Sequence, residues 1–268
     1  MCKPTPGQIH IEQTAAFAAD SLRGRPRVLE LGSRGELATR LASLGFSVTT
    51  FRDGEPSAGV TRLDTDLSTY EGDPFDAIAM TNVLQREQDL DAFLDDVYAH
   101  LKPGGRLIIE ELDVTAPDVR TLRWYYDAIA RITLAMPTAD ADVEVCWGAE
   151  WSGCHLHGAS RIEQAVTRRF SIRSLHRVEY LYREVARRLL DTDEGRRIAL
   201  ALRQIERQKV ADGSIVATGI QLVADRSPET RAAVCGARLT AEVSCGLAPG
   251  HDGLHQWRGP NGQTFDWG

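Results

Sequence analysis

The chain has 268 residues, 43% of them hydrophobic and 26% charged, with a formal net charge of −7. That length supports a large buried core with room for a small appendage. The negative balance argues against a protein that holds nucleic acid by overall positive charge, because phosphate neutralisation needs clustered Lys and Arg. No apolar run approaches the roughly 20 residues that cross a bilayer.

The N-terminus, MCKPTPGQIHIEQ, lacks the basic-then-apolar layout of a secretory signal, so a cytoplasmic protein is expected. Its five cysteines, Cys2, Cys146, Cys154, Cys235 and Cys245, are odd in number and unevenly spread. They read as reduced thiols or metal ligands rather than as a disulfide framework.

In chain order, QIHIEQTAAFAADSL (8–22) has apolar residues at helical spacing and predicts a leading helix. RVLELG then reads as a strand buried on both faces, ELATRLASLG as a helix stopped at Gly45, and FSVTTF and GVTRLDTDL as two more strands. PFDAIAMTNVL has the continuous apolar character of a central strand, QDLDAFLDDVYAHL is helical, and KPGGRLIIEEL turns on Pro103, Gly104 and Gly105 into a fifth strand. Alternating strands and helices require parallel pairing, with the ligand at the carboxyl ends of the strands.

Farther on, RTLRWYYDAIARITLAM and ASRIEQAVTRRF predict helices and SIRSLHRVEYLY a strand. REVARRLL and DEGRRIALALRQIERQKV are helical, and SIVATGIQLVADR returns as a last strand paired with the preceding one like a hairpin. The fold expected is α/β, a doubly wound, mostly parallel seven-stranded sheet over residues 1–228. A small Cys/His element over 229–268 completes it.

Three stretches carry a resemblance. VLELG, FDAIAMTNVL and HLKPGGRLIIEE fall in the order and spacing of the first, fourth and fifth strand motifs of the class I S-adenosylmethionine-dependent methyltransferases, which the chain resembles over roughly residues 10–226. The resemblance implies a Rossmann-like fold, S-adenosylmethionine as cofactor, and a donor site built from Glu30, Gly32, Ser33, Gly35, Asp53, Asp66, Leu67, Thr81 and Asn82. In that scheme Glu30 lies near the methionine moiety, Asp53 near the ribose, and Asp64 or Asp66, of which Asp66 is preferred, with Leu67 near the adenine. The alternative for Glu30 is an acid that caps the loop, for Asp53 a place in a plain turn formed by DGEPS, and for Asp66 an N-cap or turn aspartate.

The chain also departs from the family. Glycines would be expected at positions 34 and 36, where Arg34 and Glu36 stand, and Arg52 occupies the usual place of the ribose-binding acid, one residue before Asp53. Gln85, Arg86 and Glu87 replace the histidine-containing turn that many relatives carry after the fourth strand.

The segment 144–160, EVCWGAEWSGCHLHGAS, reads as a loop above the sheet, and the resemblance makes His155 and His157 candidates for base or acceptor contact. Trp124, Tyr125 and Tyr126 read as core or as part of a lid. In the tail, Cys235, Cys245, His251 and His255 suggest a structural zinc knuckle, since a segment of that size cannot bury enough to fold alone.

The function expected is methyl transfer to a small-molecule acceptor, in the setting of secondary metabolism. The alternatives are a cyclase or lyase that uses the same cofactor without methyl transfer, or a non-catalytic binding module. Neither a membrane nor nucleic acid is an expected partner, and the oligomeric state is left open, a homodimer being one form.

Overall fold

The structure is a computed structural model that describes residues 5–33, 35–51, 58–133, 142–152, 156–227, 255–258 and 264–267, the last two as backbone alone. The chain divides into two compact units, Met1–Arg226 and Ser227–Gly268.

In the first unit the strands are β1 (Arg27–Leu31), β2 (Ser47–Phe51), β3 (Val60–Leu63), β4 (Phe75–Thr81), β5 (Leu101–Leu112), β6 (Ser171–Val178) and β7 (Gly219–Asp225). They form one seven-stranded sheet in the order β3-β2-β1-β4-β5-β7-β6. Pairing is parallel from β3 through β5, while β7 runs antiparallel to both β5 and β6. The expected β6–β7 pairing is therefore present, with β6 rather than β7 at the edge.

The helices are α1 (Ile9–Ser21), α2 (Glu36–Ser43), α3 (Leu90–Ala99), α4 (Val119–Thr133), α5 (Val143–Glu150), α6 (Ala159–Thr167), α7 (Leu181–Ala186) and α8 (Asp193–Ala211). Their starts follow local chemistry: the Asp89 carboxylate accepts the Ala92 amide at 2.9 Å, and the Thr192 hydroxyl accepts that of Gly195 at 3.0 Å. The 144–160 segment departs from expectation. Asp142 caps it by accepting the amides of Glu144 and Val145, and Trp147 buries against the Tyr125 ring, so its first half is a helix.

Strand period divides the core in two. Leu29, Ile78, Met80, Leu107 and Ile109 face α3 and α6 through Leu94, Val97, Ile162 and Val166. Their neighbours Val28, Ala77, Ala79 and Ile108 face α1 and α2 through Ala15, Ala18, Leu37 and Leu41. A third cluster, Leu112, Leu122, Tyr125, Trp147, Tyr180 and Val185, joins α4, α5 and α7 beyond the carboxyl end of β5. Tyr125 is thus core, while Trp124 and Tyr126 are partly buried against it.

The second unit contains an antiparallel pair, β8 (His255–Arg258) and β9 (Thr264–Trp267), registered His255 to Trp267. Cys235, Cys245 and His251 lie outside the described residues, as does the side chain of His255. Among the described residues no cluster of three or more His, Cys, Asp or Glu could hold a metal ion, and no helix is long and apolar enough to cross a membrane.

Candidate active site

From β1 the chain runs to β2 and β3 on one side of the sheet, then crosses to β4 on the other. A crevice is expected outside the carboxyl ends of strands at such a reversal. A cleft of about 1040 Å³ opens there. Its lining includes Gly32, Ser33 and Gly35 from the β1–α2 loop, Thr81 and Asn82 from the end of β4, and Leu112 from the end of β5. Gln8 and His10 from the N-terminal segment, Gln85 and Arg86 after β4, Trp151 after α5, and Arg183 and Arg187 of α7 complete it.

Each part of the loop has a local cause. Gly32 has φ +101°, and a Cβ there would stand 2.2 Å from the Thr81 carbonyl oxygen, so only glycine lets this loop lie against the end of β4. Gly35, with φ 86°, precedes α2 in the left-handed region. Ser33 supplies the helix start: its carbonyl accepts the Glu36 amide at 3.2 Å and its hydroxyl accepts that of Leu37 at 2.9 Å. Those amides are thus engaged within the protein rather than aimed at a ligand.

Glu30 is fully buried, and its Oε1 accepts the Ser33 amide at 2.9 Å. Burial pushes its carboxyl up, against the hydrogen bonds from Ser33 and Thr50. It holds the loop from beneath and is not among the cleft's lining residues.

Asn82 occupies the left-handed region at φ 55°, where asparagine is among the few side chains tolerated. Its Oδ1 accepts the Tyr180 hydroxyl at 2.6 Å, which ties β4 to the segment entering α7. Asp66 caps a short 3₁₀ turn, accepting the Thr69 amide at 3.1 Å and the Ser68 hydroxyl at 2.8 Å, and Leu67 packs into the main core. Neither lines the cleft. Asp53, Arg34 and Arg52 lie outside the described residues.

His155 lies outside them as well. The His157 ring lies 2.8 Å from the Glu87 carbonyl oxygen through Nε2, and its amide donates to the Gln85 carbonyl at 2.9 Å. With Nε2 as the donor, His157 braces the turn after β4 from outside the cleft.

Several cleft residues were not singled out from the sequence. His10 sits beside Arg183 and Arg187; burial first, then those two cations, push its imidazole down to about 3. Its ring is therefore neutral near pH 7. Arg183, 3% exposed, donates to Glu110, 1% exposed, which also accepts the Thr14 hydroxyl at 2.7 Å and the Gln221 amide at 2.5 Å. Burial alone would push Glu110 up, but Arg183 and these donors outweigh it and hold the carboxyl below its ordinary range.

Glu206 of α8 accepts three amides at the start of α7: Tyr180 at 2.9 Å, Leu181 at 3.0 Å and Tyr182 at 2.7 Å. This fixes the short helix that brings Arg183 and Arg187 to the cleft. Four cleft-lining residues keep a buried polar atom with no partner among the described residues: Thr81 Oγ1, Gln85 Oε1, Trp151 Nε1 and Arg183 Nε. Orphaned polar atoms are costly unless a ligand or water engages them. A polar molecule with both donors and acceptors fits this lining, as the amino-acid end of S-adenosylmethionine would.

Comparisons with known proteins agree with this architecture. A ubiquinone biosynthesis O-methyltransferase of Paramagnetospirillum magneticum is 33% identical over 120 residues, covering 38% of this chain and 48% of that one. The chain thus matches about half the length of that curated relative. Among solved structures, the cyclase SpnF superposes with a TM-score of 0.52 at 17% identity, over 83% of this chain and 82% of that one. Coclaurine N-methyltransferase, bound to N-methylheliamine and S-adenosylhomocysteine, superposes with a TM-score of 0.51 at 14% identity, over 81% and 72%. These two share the fold. The model of the methyltransferase domain family matches residues 10–149, more than half of the chain, and with the strand order above it shows that the chain belongs to the class I S-adenosylmethionine-dependent methyltransferase family.

Proposed function

We propose that the protein transfers a methyl group from S-adenosylmethionine to an oxygen of a small-molecule acceptor. The observation that carries this reading is the cleft at the strand-order reversal, walled by Gly32, Ser33, Gly35, Thr81 and Asn82, where four buried polar atoms have no partner among the described residues. Oxygen is chosen as the acceptor atom because the curated relative is named an O-methyltransferase. Secondary metabolism and a soluble cytoplasmic enzyme are the accompanying proposals.

The donor, when bound, would supply an electrophilic sulfonium methyl, which a lone pair on the acceptor oxygen takes as the carbon–sulfur bond breaks and S-adenosylhomocysteine leaves. The chain's part is to bind, align and keep out water. Effective molarities of about 10⁵ M or more come from alignment alone. Gly32, Ser33 and Gly35 hold the donor's amino-acid end, with Thr81 and Asn82 beside it. Gln8 closes one side by donating to the Glu36 carboxylate at 3.0 Å.

Proton removal makes small demands on the protein. His10, with so low a proton affinity, accepts hydrogen bonds rather than storing a proton. Glu184 and Asp191, which also line the cleft, are ion-paired with Arg187 at 2.8 Å and Arg196 at 3.0 Å. The site therefore suits an acceptor oxygen that is already acidic.

Titration calorimetry with S-adenosylmethionine and S-adenosylhomocysteine tests the reading. Micromolar binding of both is expected, followed by release of S-adenosylhomocysteine when an acceptor is present. A folded protein that binds neither refutes it. Release of methylthioadenosine instead would assign the chain to cleavage rather than transfer.

A further inference from the structure

The turn after β4 is held more firmly than its exposure requires. Oε1 of the buried Glu111 carboxyl accepts the amides of Val83 at 2.7 Å and Leu84 at 2.9 Å. His157 contributes the two bonds described above, to the carbonyls of Gln85 and Glu87. Four hydrogen bonds to Glu111 and His157 thus hold Val83, Leu84, Gln85 and Glu87, with Gln85 and Arg86 at the cleft.

What they present is specific. Gln85 is 1% exposed; its Nε2 donates to Asn82 Oδ1 at 3.4 Å, leaving Oε1 a buried acceptor with no donor among the described residues. Arg86 is exposed, with its guanidinium carbon 5.9 Å from the centroid of the Trp151 ring, whose Nε1–H also has no partner among the described residues. The other two arginines that line the cleft among the described residues are each neutralised, Arg183 by Glu110 and Arg187 by Glu184. No ion pair engages Arg86 among the described residues. Among the described residues it is the lining cation whose charge remains to be matched, beside a donor and an acceptor that have no partner among those residues.

We propose that this corner selects an acidic acceptor: Arg86, with the Trp151 N–H, takes an anionic oxygen group of the substrate, while Gln85 Oε1 accepts from a hydroxyl on the same molecule. The substrate class is a small hydroxy acid or an equivalently acidic phenol or enol. Glu111 and His157 act as positioning residues for the turn. This rests on the proposed transferase reading and names the acceptor for the same cleft.

The test uses the full chain saturated with S-adenosylhomocysteine and three isosteric probe pairs: 2-, 3- and 4-hydroxybenzoate against the matching hydroxybenzamides. Each pair keeps the shape and replaces the anionic carboxylate with a neutral amide. At least one benzoate is expected to bind about tenfold or more tightly than its amide, the size of a charge-assisted hydrogen bond. Arg86→Leu should abolish that preference while leaving the S-adenosylhomocysteine affinity within about twofold, and Arg86→Lys should restore part of it. Equal binding within all three pairs, no binding of any benzoate, or a preference that survives in Arg86→Leu overturns the proposal. Failure to bind S-adenosylhomocysteine at all overturns instead the transferase reading.

Discussion

Replacing Arg183 with methionine tests how far the cleft depends on one buried charge pair. Both partners are almost wholly buried, and Glu110 joins four elements: β5 itself, α1 through Thr14, β7 through Gln221 and α7 through Arg183. Removing one partner of such a pair strands the other, at a cost of about 3–5 kcal/mol. For a domain of this size each kcal/mol corresponds to roughly 2–4 °C, so the melting temperature should fall by roughly 6–20 °C.

The sign of the pH dependence follows. In the parent, Glu110 is held low, so its contribution is present above the unfolded carboxyl range and fades as pH falls through the folded value. Without Arg183 burial dominates and raises it, so stability should instead drop as pH rises, and the deficit should widen from pH 5 to pH 8. Urea unfolding across that range is the assay. Arg183→Met/Glu110→Leu, which removes both charges, should be more stable than Arg183→Met by about 1 kcal/mol or more. A single-variant loss under about 1 kcal/mol, or a double variant no better than the single, would refute the reasoning.

Gly32→Ala should cost about 1–3 kcal/mol, because the new Cβ meets the Thr81 carbonyl and the backbone is left-handed; donor affinity in calorimetry should fall with it, whereas Gly24→Ala, with open space around it, should leave that affinity unchanged. Burial pushes Glu111 up to about 8 despite amides from Leu84, Val83 and Gln85, so its contribution is full below the unfolded carboxyl value and is lost as pH rises toward 8. Glu111→Gln should therefore flatten the decline in stability between pH 5 and pH 8, and an unchanged slope would count against that account. Metal analysis of the purified chain should find zinc that Cys235→Ser removes; a metal-free parent ends the zinc proposal.

Much of the architecture was legible because strand period and glycine stops are local signals. VLEL, FDAIAM and RLIIEE gave β1, β4 and β5, and KPGG marked the turn within the residues that became the start of β5. The site was less so. Of the positions the motifs pointed to, Gly32, Ser33, Gly35, Thr81 and Asn82 line the cleft. Asp66 and Leu67 do not, because the turn they begin uses the carboxylate as its own cap.

His10, Arg183 and Arg187 escaped notice for a different reason. On a helical reading polar residues face solvent, and nothing in REVARRLL indicates that its first arginine is matched by an acid 73 positions away. Trp147 was visible as an aromatic in a supposed loop, but its burial required Tyr125 from another helix. Long-range pairing, rather than composition, decides such cases.

The position of β7 bears on how the chain is made. It is the final strand of the sheet to leave the ribosome, yet it lies between two strands synthesised earlier, with Arg106 facing Asp225 across the ladder. Until residue 225 has emerged, β6 has no neighbour within the sheet and β5 carries an open edge. Nascent chains halted before Gly219 should thus be sensitive to protease and prone to self-association, and those halted beyond a full exit-tunnel length after Asp225 should resist digestion.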